Sequence, residues 1–263
     1  MSAAFSPTAA RSLGGPDWLV ARRTAAAEAF AATERPDDAA EEWRYSLIGQ
    51  FDLARYAPAH EFGDAPMPRL DVEPAALIRC VNGRVMFVEV DEALVDQGVH
   101  IGPLAEDEHG EARLGSVADD AGDYFTLLND AFMDRPLLID IPRGVVVDRP
   151  IVVTHHAAGA GGAVFPRLVV RVAENAQADV MDLHTSEADD DILVCPVVEL
   201  DVEAAGRLGY LKVQEQGAKT WQFGSVLARA ERDATISAAT AAFRGALSLI
   251  HISEPTRLGM ISY

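Results

Sequence analysis

The residues of this chain best suited to chemistry lie between positions 155 and 195. Imidazole, carboxylate and thiolate groups are the donors that zinc and iron–sulfur centres use. Because adjacent residues of a strand point to opposite faces, His155 and His156 cannot both face one ion unless a bulge intervenes. We therefore interpret one of these two as lying inside or at the edge of the fold and the other in water, and we predict no metal ligand. The candidates considered are His155, His156, Asp182, His184 and Cys195.

Both cysteines are predicted to be buried and unreactive. Cys195 precedes Pro196 in an apolar run, and Cys80 lies in a predicted strand. A thiol in apolar surroundings keeps its proton and is a poor nucleophile. Two cysteines are also too few for a disulfide framework, and they fit a reducing compartment.

Carboxylates near His184 suggest a second kind of chemistry, a Ca²⁺ site or the acid pair of a polysaccharide-cleaving enzyme. They fall close together in what reads as one loop, and we interpret them as a solvated turn. The chain has no Gly-x-Ser-x-Gly elbow and no dinucleotide fingerprint, and residues 157–163 lack the ending of a phosphate-binding loop. We therefore predict no catalytic, cofactor-binding or metal-binding residue. The carboxylates are Asp182, Glu187, Asp189, Asp190 and Asp191.

The second half of the chain consists of short apolar runs separated by turns. No amphipathic helix lies between them, which argues against alternating strands and helices. Small-residue turns recur after Glu174, Glu203 and Glu231, at steps of 29 and 28 residues. Such a step is typical of stacked coils, so we predict a mainly β protein with a right-handed β-helix core. An antiparallel sandwich is the alternative. The predicted runs are 137–141, 145–147, 151–153, 168–172, 197–202, 208–213 and 225–227.

Composition divides the rest of the chain into segments. Asn82-Gly83 predicts a two-residue hairpin turn, to which residues 99–101 and 104 could add. The pattern over 123–134 predicts a helix that covers the open end of the first coil. The predicted segments are a disordered start (1–15), an N-terminal helical region (16–57), a proline-rich linker (58–74), the hairpin with its capping helix (75–134) and an incomplete β-helix core (135–246).

Residues 247–263 differ in character from everything before them. They are rich in isoleucine and lose the rhythm of strand and turn. Residues 247–257 look like the translation of a common sequencing adapter, so we predict that the natural reading frame ends near Ala246. A genuine C-terminal strand and loop is the alternative. Resequencing the genomic locus through this point would decide between the two.

Length and charge limit the possible partners. The chain has 263 residues, of which 49% are hydrophobic, and a formal net charge of −19. This charge argues against binding to nucleic acid or to an anionic membrane surface. No apolar run approaches transmembrane length, and prolines and an arginine interrupt the first residues where a signal peptide would be apolar. We expect a cytoplasmic protein.

An ordered set of residues resembles the SufB/SufD family of iron–sulfur cluster assembly proteins. The resemblance covers about residues 15–246, and residues 41–45, Glu-Glu-Trp-Arg-Tyr, are closer to SufD than to SufB. The other residues that carry it are Phe132, Pro136, Ile139, Ile141, Pro142, Gly144, Val147, Pro150 and Ile151, followed by residues 166–170, 198–200 and 211–214.

The resemblance implies a non-catalytic scaffold subunit, SufD-like and truncated at its C-terminal side. Such a subunit would pair with a SufB-type paralogue through the β-helix and bind a SufC-type ATPase through the missing C-terminal domain. An iron–sulfur cluster would be present transiently in the complex, with ligands in the missing part and none bound by this fragment. The alternatives are a carbohydrate-active β-helix enzyme and a purely structural β-solenoid. Neighbouring genes, for sulfur mobilisation or for sugar uptake, would separate the first two.

Overall fold

The computed structural model describes residues 3–39, 43, 47–59, 63–64, 66–67, 69–70, 72–117 and 123–245, and the backbone of 247–253. The helices are α1 (Pro7–Ser12), α2 (Asp17–Ala32), α3 (Glu92–Asp96), α4 (Gly110–Arg113) and α5 (Tyr124–Phe132). The first strands are β1 (Ala57–Pro58), β2 (Ala76–Val81), β3 (Arg84–Val90), β4 (His100–Pro103), β5 (Leu137–Ile141), β6 (Ile151–Ala157) and β7 (Gly162–Val164). The later strands are β8 (Arg167–Val172), β9 (Gln177–Ser186), β10 (Leu193–Val194), β11 (Val197–Val202), β12 (Arg207–Glu215), β13 (Trp221–Ala230), β14 (Thr235–Arg244) and β15 (Leu247–Ser253).

The core is a β-solenoid of about four turns, which confirms the predicted fold class. Each turn adds one strand to each of two parallel sheets. Strands β5, β8, β11 and β13 are neighbours in the first sheet, and β6, β9, β12 and β14 are neighbours in the second. The short strands β7 and β10 form a third side, which joins the first sheet through the long strand β13.

The recurring turns found in the sequence are corners of the solenoid. Asn175, Ala205 and Asp233 each have a positive φ, of 59°, 57° and 61°. The corners stack through the main chain, since the N–H of Asn175 donates to the carbonyl of Ala204 and the N–H of Ala205 to that of Arg232. One left-handed residue at the same place in each coil redirects the chain from the first sheet to the second.

Files of aliphatic side chains fill the space between the sheets. Ile139, Val170 and Leu200 are register partners on successive strands, and each is fully buried. Each such side chain contributes about 1.5–3 kcal/mol when it is removed from water. Because every inward position stacks on its counterpart in the next coil, the coils stabilise one another.

Antiparallel strands close the first coil. The hairpin of β2 and β3 forms as predicted, with positive φ at Asn82 (48°) and Gly83 (80°). The prediction that residues 99–101 and 104 could add to this hairpin is wrong, because β4 pairs with β5 in the other sheet. Helix α3 lies between β3 and β4 and carries the chain from one sheet to the other.

Helix α5 forms where predicted, but it lies along the side of the solenoid and does not cover its end. Asn129 Nδ2 donates to the carbonyl oxygens of Pro166 and Cys195, at 2.8 and 2.7 Å, in successive coils. One helical turn earlier, Thr126 Oγ1 is 3.2 Å from Ser225 Oγ in the following coil. A helical turn rises about 5.4 Å and neighbouring strands are about 4.8 Å apart, so successive turns of a helix along the stack lie beside successive coils.

Residues 3–15 are ordered, contrary to the prediction of a disordered start (1–15). Helix α1 lies in this segment, and Phe5 and Ala10 are fully buried. The Phe5 ring meets Phe132 edge-to-face, with ring centroids 5.3 Å apart. Aromatic burial of this kind outweighs the flexibility that the Ala, Ser and Gly content of the segment indicates.

Residues 145–147 form only an isolated bridge from Val146 to Gln177, because the Gly144 turn and Pro150 leave too short a run for a strand. Of the Glu-Glu-Trp-Arg-Tyr segment, only Trp43 lies within the described residues, and much of the linker also lies outside them. Strand β15 pairs with β13 through main-chain groups that any sequence supplies, so an adapter origin for residues 247–263 stays a prediction.

Candidate functional site

The interior of the solenoid changes from aliphatic to polar toward the ends of β6, β9 and β12. Each residue of this group faces inward because it alternates with outward residues of its strand. Each is also 6% exposed or less. We call this group the interior polar cluster. It consists of His155 on β6, Asp182 and His184 on β9, Tyr210, Lys212 and Gln214 on β12, and Gln222 on β13.

The nearly constant coil length brings these side chains together. His155 pairs in register with His184, and His184 pairs with Gln214. In the adjacent row, Asp182 pairs with Lys212. Register partners on neighbouring strands stack, and the rings of His155 and His184 lie with centroids 4.9 Å apart and planes inclined by 25°. Residues from three coils therefore form one cluster.

Asp182 lies at the centre of the interior polar cluster. Its Oδ2 accepts a hydrogen bond from Tyr210 Oη at 2.6 Å and lies 3.0 Å from His184 Nε2. Its Oδ1 is 3.5 Å from His155 Nε2. Burial alone would raise the pKa of this carboxyl, but the His184 ring, with smaller contributions from His155 and Lys212, holds the pKa below its usual range. Asp182 is therefore a buried carboxylate at neutral pH.

The other titratable groups of the cluster are shifted by burial. Loss of solvation lowers the pKa of His155 to about 3 and also lowers the pKa of His184. It lowers the pKa of Lys212 to about 8, so this side chain is charged at pH 7. At neutral pH the cluster then holds one anion, one cation and two neutral imidazoles, which is a compensated set of charges.

Several buried polar atoms of the cluster have no hydrogen-bond partner. Such an atom costs about 1–3 kcal/mol, and native proteins contain few of them. Their concentration in one place exceeds what packing explains, and it makes the cluster the candidate functional site. Among the described residues, the atoms are His155 Nδ1, Asp182 Oδ1, His184 Nδ1, Lys212 Nζ and Gln222 Oε1.

The structure brings together only some of the candidate ligands named from the sequence. His155, Asp182 and His184 meet inside the solenoid. His156 lies on the outer face of β6, opposite to His155, as the alternation of a strand predicts. Cys195 is buried in a separate cluster that contains most of the aromatic rings.

The two cysteines are buried thiols, in the environment that the sequence indicated. Burial raises the pKa of both Cys80 and Cys195. Cys80 pairs in register with His155 and so adjoins the interior polar cluster from the first coil. Neither thiol is exposed to solvent.

Asp182 is not part of a solvated turn, and the prediction is wrong for this residue. It is fully buried on β9, whereas Glu187 and Asp189 are exposed in the turn between β9 and β10. Asp191, at the end of that turn, forms an ion pair with Arg55. The sequence places Asp182 only a few residues before the acidic turn, but strand alternation directs it to the interior.

Two family models match the chain. One, described as the SufBD protein N-terminal region, matches residues 12–153, and the other, described as the SUF system FeS cluster assembly SufBD core domain, matches residues 154–254. The chain belongs to the SufB/SufD family. Its role therefore lies in iron–sulfur cluster assembly, and the carbohydrate-active alternative is not favoured. No curated protein matches the chain.

The boundary between the two matches lies within β6. The core match therefore begins one residue before His155 and includes all the other members of the interior polar cluster. In the part of the chain that the structure describes, no helix is long and apolar enough to cross a membrane.

Sequence analysis missed four members of the cluster, Gln222 on β13 and Tyr210, Lys212 and Gln214 on β12. A signal was available on β12, because its three members alternate on the same face of the strand as Leu208, an aliphatic core residue. Moreover, Lys212 follows Asp182 by one coil length, so the same periodicity that predicts the solenoid places the two side by side. A polar residue at a predicted inward position therefore indicates a polar group inside the solenoid.

A second buried group of charges joins the solenoid to its covering elements. Arg167 donates from Nε and Nη2 to Glu199 Oε1, at 3.0 and 2.5 Å. Its Nη1 donates to Asp130 on α5 at 2.9 Å. Glu199 also accepts main-chain hydrogen bonds from Gly115 and Val117, in the loop after α4. Because these hydrogen bonds are formed, we interpret this group as structural. It holds α5 and the loop after α4 against the solenoid.

Proposed function

We propose that this chain is a SufD-type scaffold subunit that pairs with a SufB-type paralogue through its β-helix and acts with a SufC-type ATPase. The observation that carries the proposal is the match to the SufB/SufD models over residues 12–254. The likeness of residues 41–45 to SufD supports the choice between the two paralogues.

The two sides of the solenoid differ in a way that supports a scaffold role. The outer face of the first sheet is covered, since the outward residues Arg167, Val169 and Glu199 are buried. On the second sheet, the outward residues Asp179 and Arg207 are exposed. An uncovered sheet face is suited to holding a partner protein, because it offers a large surface without rearrangement.

In this proposal the subunit is not a catalyst, and it breaks and forms no covalent bonds itself. The iron–sulfur cluster is cargo that the assembled complex holds transiently, with ligands that this chain does not supply. The proposed location is the cytoplasm, and the proposed partners are proteins, since a net charge of −19 repels nucleic acid and anionic membranes.

Co-purification from the native organism tests the proposal. The gene is tagged at its chromosomal locus, and the protein is captured under anaerobic conditions at moderate salt. We expect SufB-type and SufC-type proteins in comparable molar amounts, identified by mass spectrometry. A tagged β-helix polysaccharide lyase is the control bait, because it offers a solenoid without the family's surface.

Two results would contradict the proposal. Capture of neither partner, with the bait itself recovered intact, would remove the scaffold role in this complex. Capture of a SufD-type protein in place of the SufB-type paralogue would identify this chain as the SufB-type subunit.

A further inference from the structure

Three side chains of the interior polar cluster converge on one point. His155, Asp182 and His184 each contribute one potential ligand atom, and these atoms all lie within 4.8 Å of one another. The residues come from neighbouring strands of successive coils, so the hydrogen-bonded ladder of the second sheet fixes their spacing. We propose that they form a binding site for one divalent transition-metal ion.

The donor set specifies the class of ion. Two imidazoles and one carboxylate are used by proteins to hold Zn²⁺, Fe²⁺ and related ions, whereas Ca²⁺ and Mg²⁺ prefer oxygen donors. Metal–ligand bonds of about 2.1 Å place tetrahedral ligand atoms about 3.4 Å apart. The distances from the Asp182 carboxylate oxygens to Nε2 of His155 and of His184, 3.5 and 3.0 Å, are close to that spacing.

The carboxylate is oriented for this role. Tyr210 donates to Oδ2 and fixes the plane of the group, while Oδ1, which faces His155, has no hydrogen-bond partner. The imidazole nitrogens that face this carboxylate are Nε2 of His155, 3.5 Å from Oδ1, and Nε2 of His184, 3.0 Å from Oδ2. A core in which these residues only filled space would have its polar atoms satisfied by one another.

Lys212 is the charged group that opposes the ion. It pairs in register with Asp182 from the adjacent strand, and its Nζ has no hydrogen-bond partner. A positive charge on the register neighbour of Asp182 repels a dication bound by that carboxylate, so Lys212→Met at pH 7 should tighten metal binding about tenfold. If the cluster were only a structural ion pair, the same substitution would leave metal affinity unchanged.

Titration of the isolated chain with Co²⁺ alone tests the site. After chelator treatment, we expect one Co²⁺ per chain, with visible absorption bands from nitrogen and oxygen ligands. Asp182→Asn and His184→Gln should each weaken binding at least tenfold. His156→Gln is the matched control, because this histidine adjoins His155 in sequence but lies on the outer face, and it should leave binding unchanged.

Absence of Co²⁺ binding by the native chain would overturn the proposal. So would a loss of binding in His156→Gln together with normal binding in Asp182→Asn, since that pattern places the ion on the surface. The measurement needs no partner protein, so failure of co-purification with Suf proteins would leave this site untouched.

A second measurement avoids variants that fail to fold. X-ray absorption of the Zn²⁺-loaded, unaltered chain should show two imidazole rings and only nitrogen or oxygen ligands, at about 2.0–2.2 Å. A sulfur ligand at about 2.3 Å would assign the ion to Cys80 or Cys195 and would contradict the proposal. Thermal melting of each variant, recorded beside the titration, separates lost affinity from lost structure.

Discussion

Arg167→Met is expected to lower the free energy of unfolding by about 3–5 kcal/mol. Arg167 and Glu199 have side chains with no exposed surface, and they are joined by two hydrogen bonds. Removal of the guanidinium leaves a carboxylate in the interior without its cation, and the cost of such an unpaired charge exceeds the value of an ordinary hydrogen bond. Chemical denaturation of both proteins, at the same pH and salt, measures the difference.

The electrostatics of Arg167 explain the size of this effect. Burial by itself would lower the pKa of the guanidinium, but the charges of Glu199 and Asp130 raise it. The pair also ties α5 and the loop after α4 to the solenoid, through Asp130 and through the main chain at Gly115. Loss of the cation therefore weakens the attachment of both α5 and the loop after α4 to the solenoid.

Two further variants sharpen the test. Arg143→Met removes an arginine that is 72% exposed and paired with Glu174, so it should cost no more than about 1 kcal/mol. The double variant Arg167→Met, Glu199→Leu removes both buried charges and should recover part of the loss, since the N–H groups of Gly115 and Val117 then lack their acceptor. A loss under 1 kcal/mol for Arg167→Met alone would show that the buried pair is not as described.

Phe223→Ala should lower the free energy of unfolding by about 3–5 kcal/mol. Phe223 is 2% exposed, and its ring centroid lies 3.9 Å from that of Phe125, 4.9 Å from Phe51 and 5.8 Å from Trp43. Through these contacts, the Phe223 ring on β13 packs against α5 and against the N-terminal region. Truncation leaves a cavity and removes several aromatic pairs at once.

Phe243→Ala is the matched control for this prediction. Phe243 lies on β14, the next strand of the chain, and is 67% exposed, so its truncation should change stability by less than about 0.5 kcal/mol. Urea unfolding followed by tryptophan fluorescence measures both variants, since Trp43 and Trp221 lie beside Phe223. Equal losses in the two variants would contradict the aromatic cluster described here.

The fold was accessible from the sequence because solenoid geometry is local and repeated. The predicted runs 137–141 and 197–202 coincide with β5 and β11, and the turns after Glu174, Glu203 and Glu231 are the corners. Each coil uses the same short-range signals, namely strand alternation and one residue with positive φ. A step of constant length then specifies which residues stack.

The parts that could not be predicted depend on contacts between segments with no shared period. The sequence of α5 shows an apolar stripe, but it does not show that Asn129 bonds to carbonyls of two coils. Likewise, the predicted strand run 168–172 gives no indication that the preceding residue, Arg167, is buried against Glu199. The burial of Asp182 was predictable in principle, because alternation on β9 places it inward, but its position next to an acidic turn favoured the wrong interpretation.

A role in iron–sulfur cluster assembly is the central claim, and it is tested most directly in cells. The gene is deleted in a strain whose only assembly route is the SUF system, and the activity of a [4Fe–4S] dehydratase is measured in anaerobic extracts. We predict that the activity falls at least severalfold, that added iron and sulfide restore it in the extract, and that the full-length gene restores it in the strain. Unchanged dehydratase activity in the deletion strain, grown with limiting iron, would contradict the account.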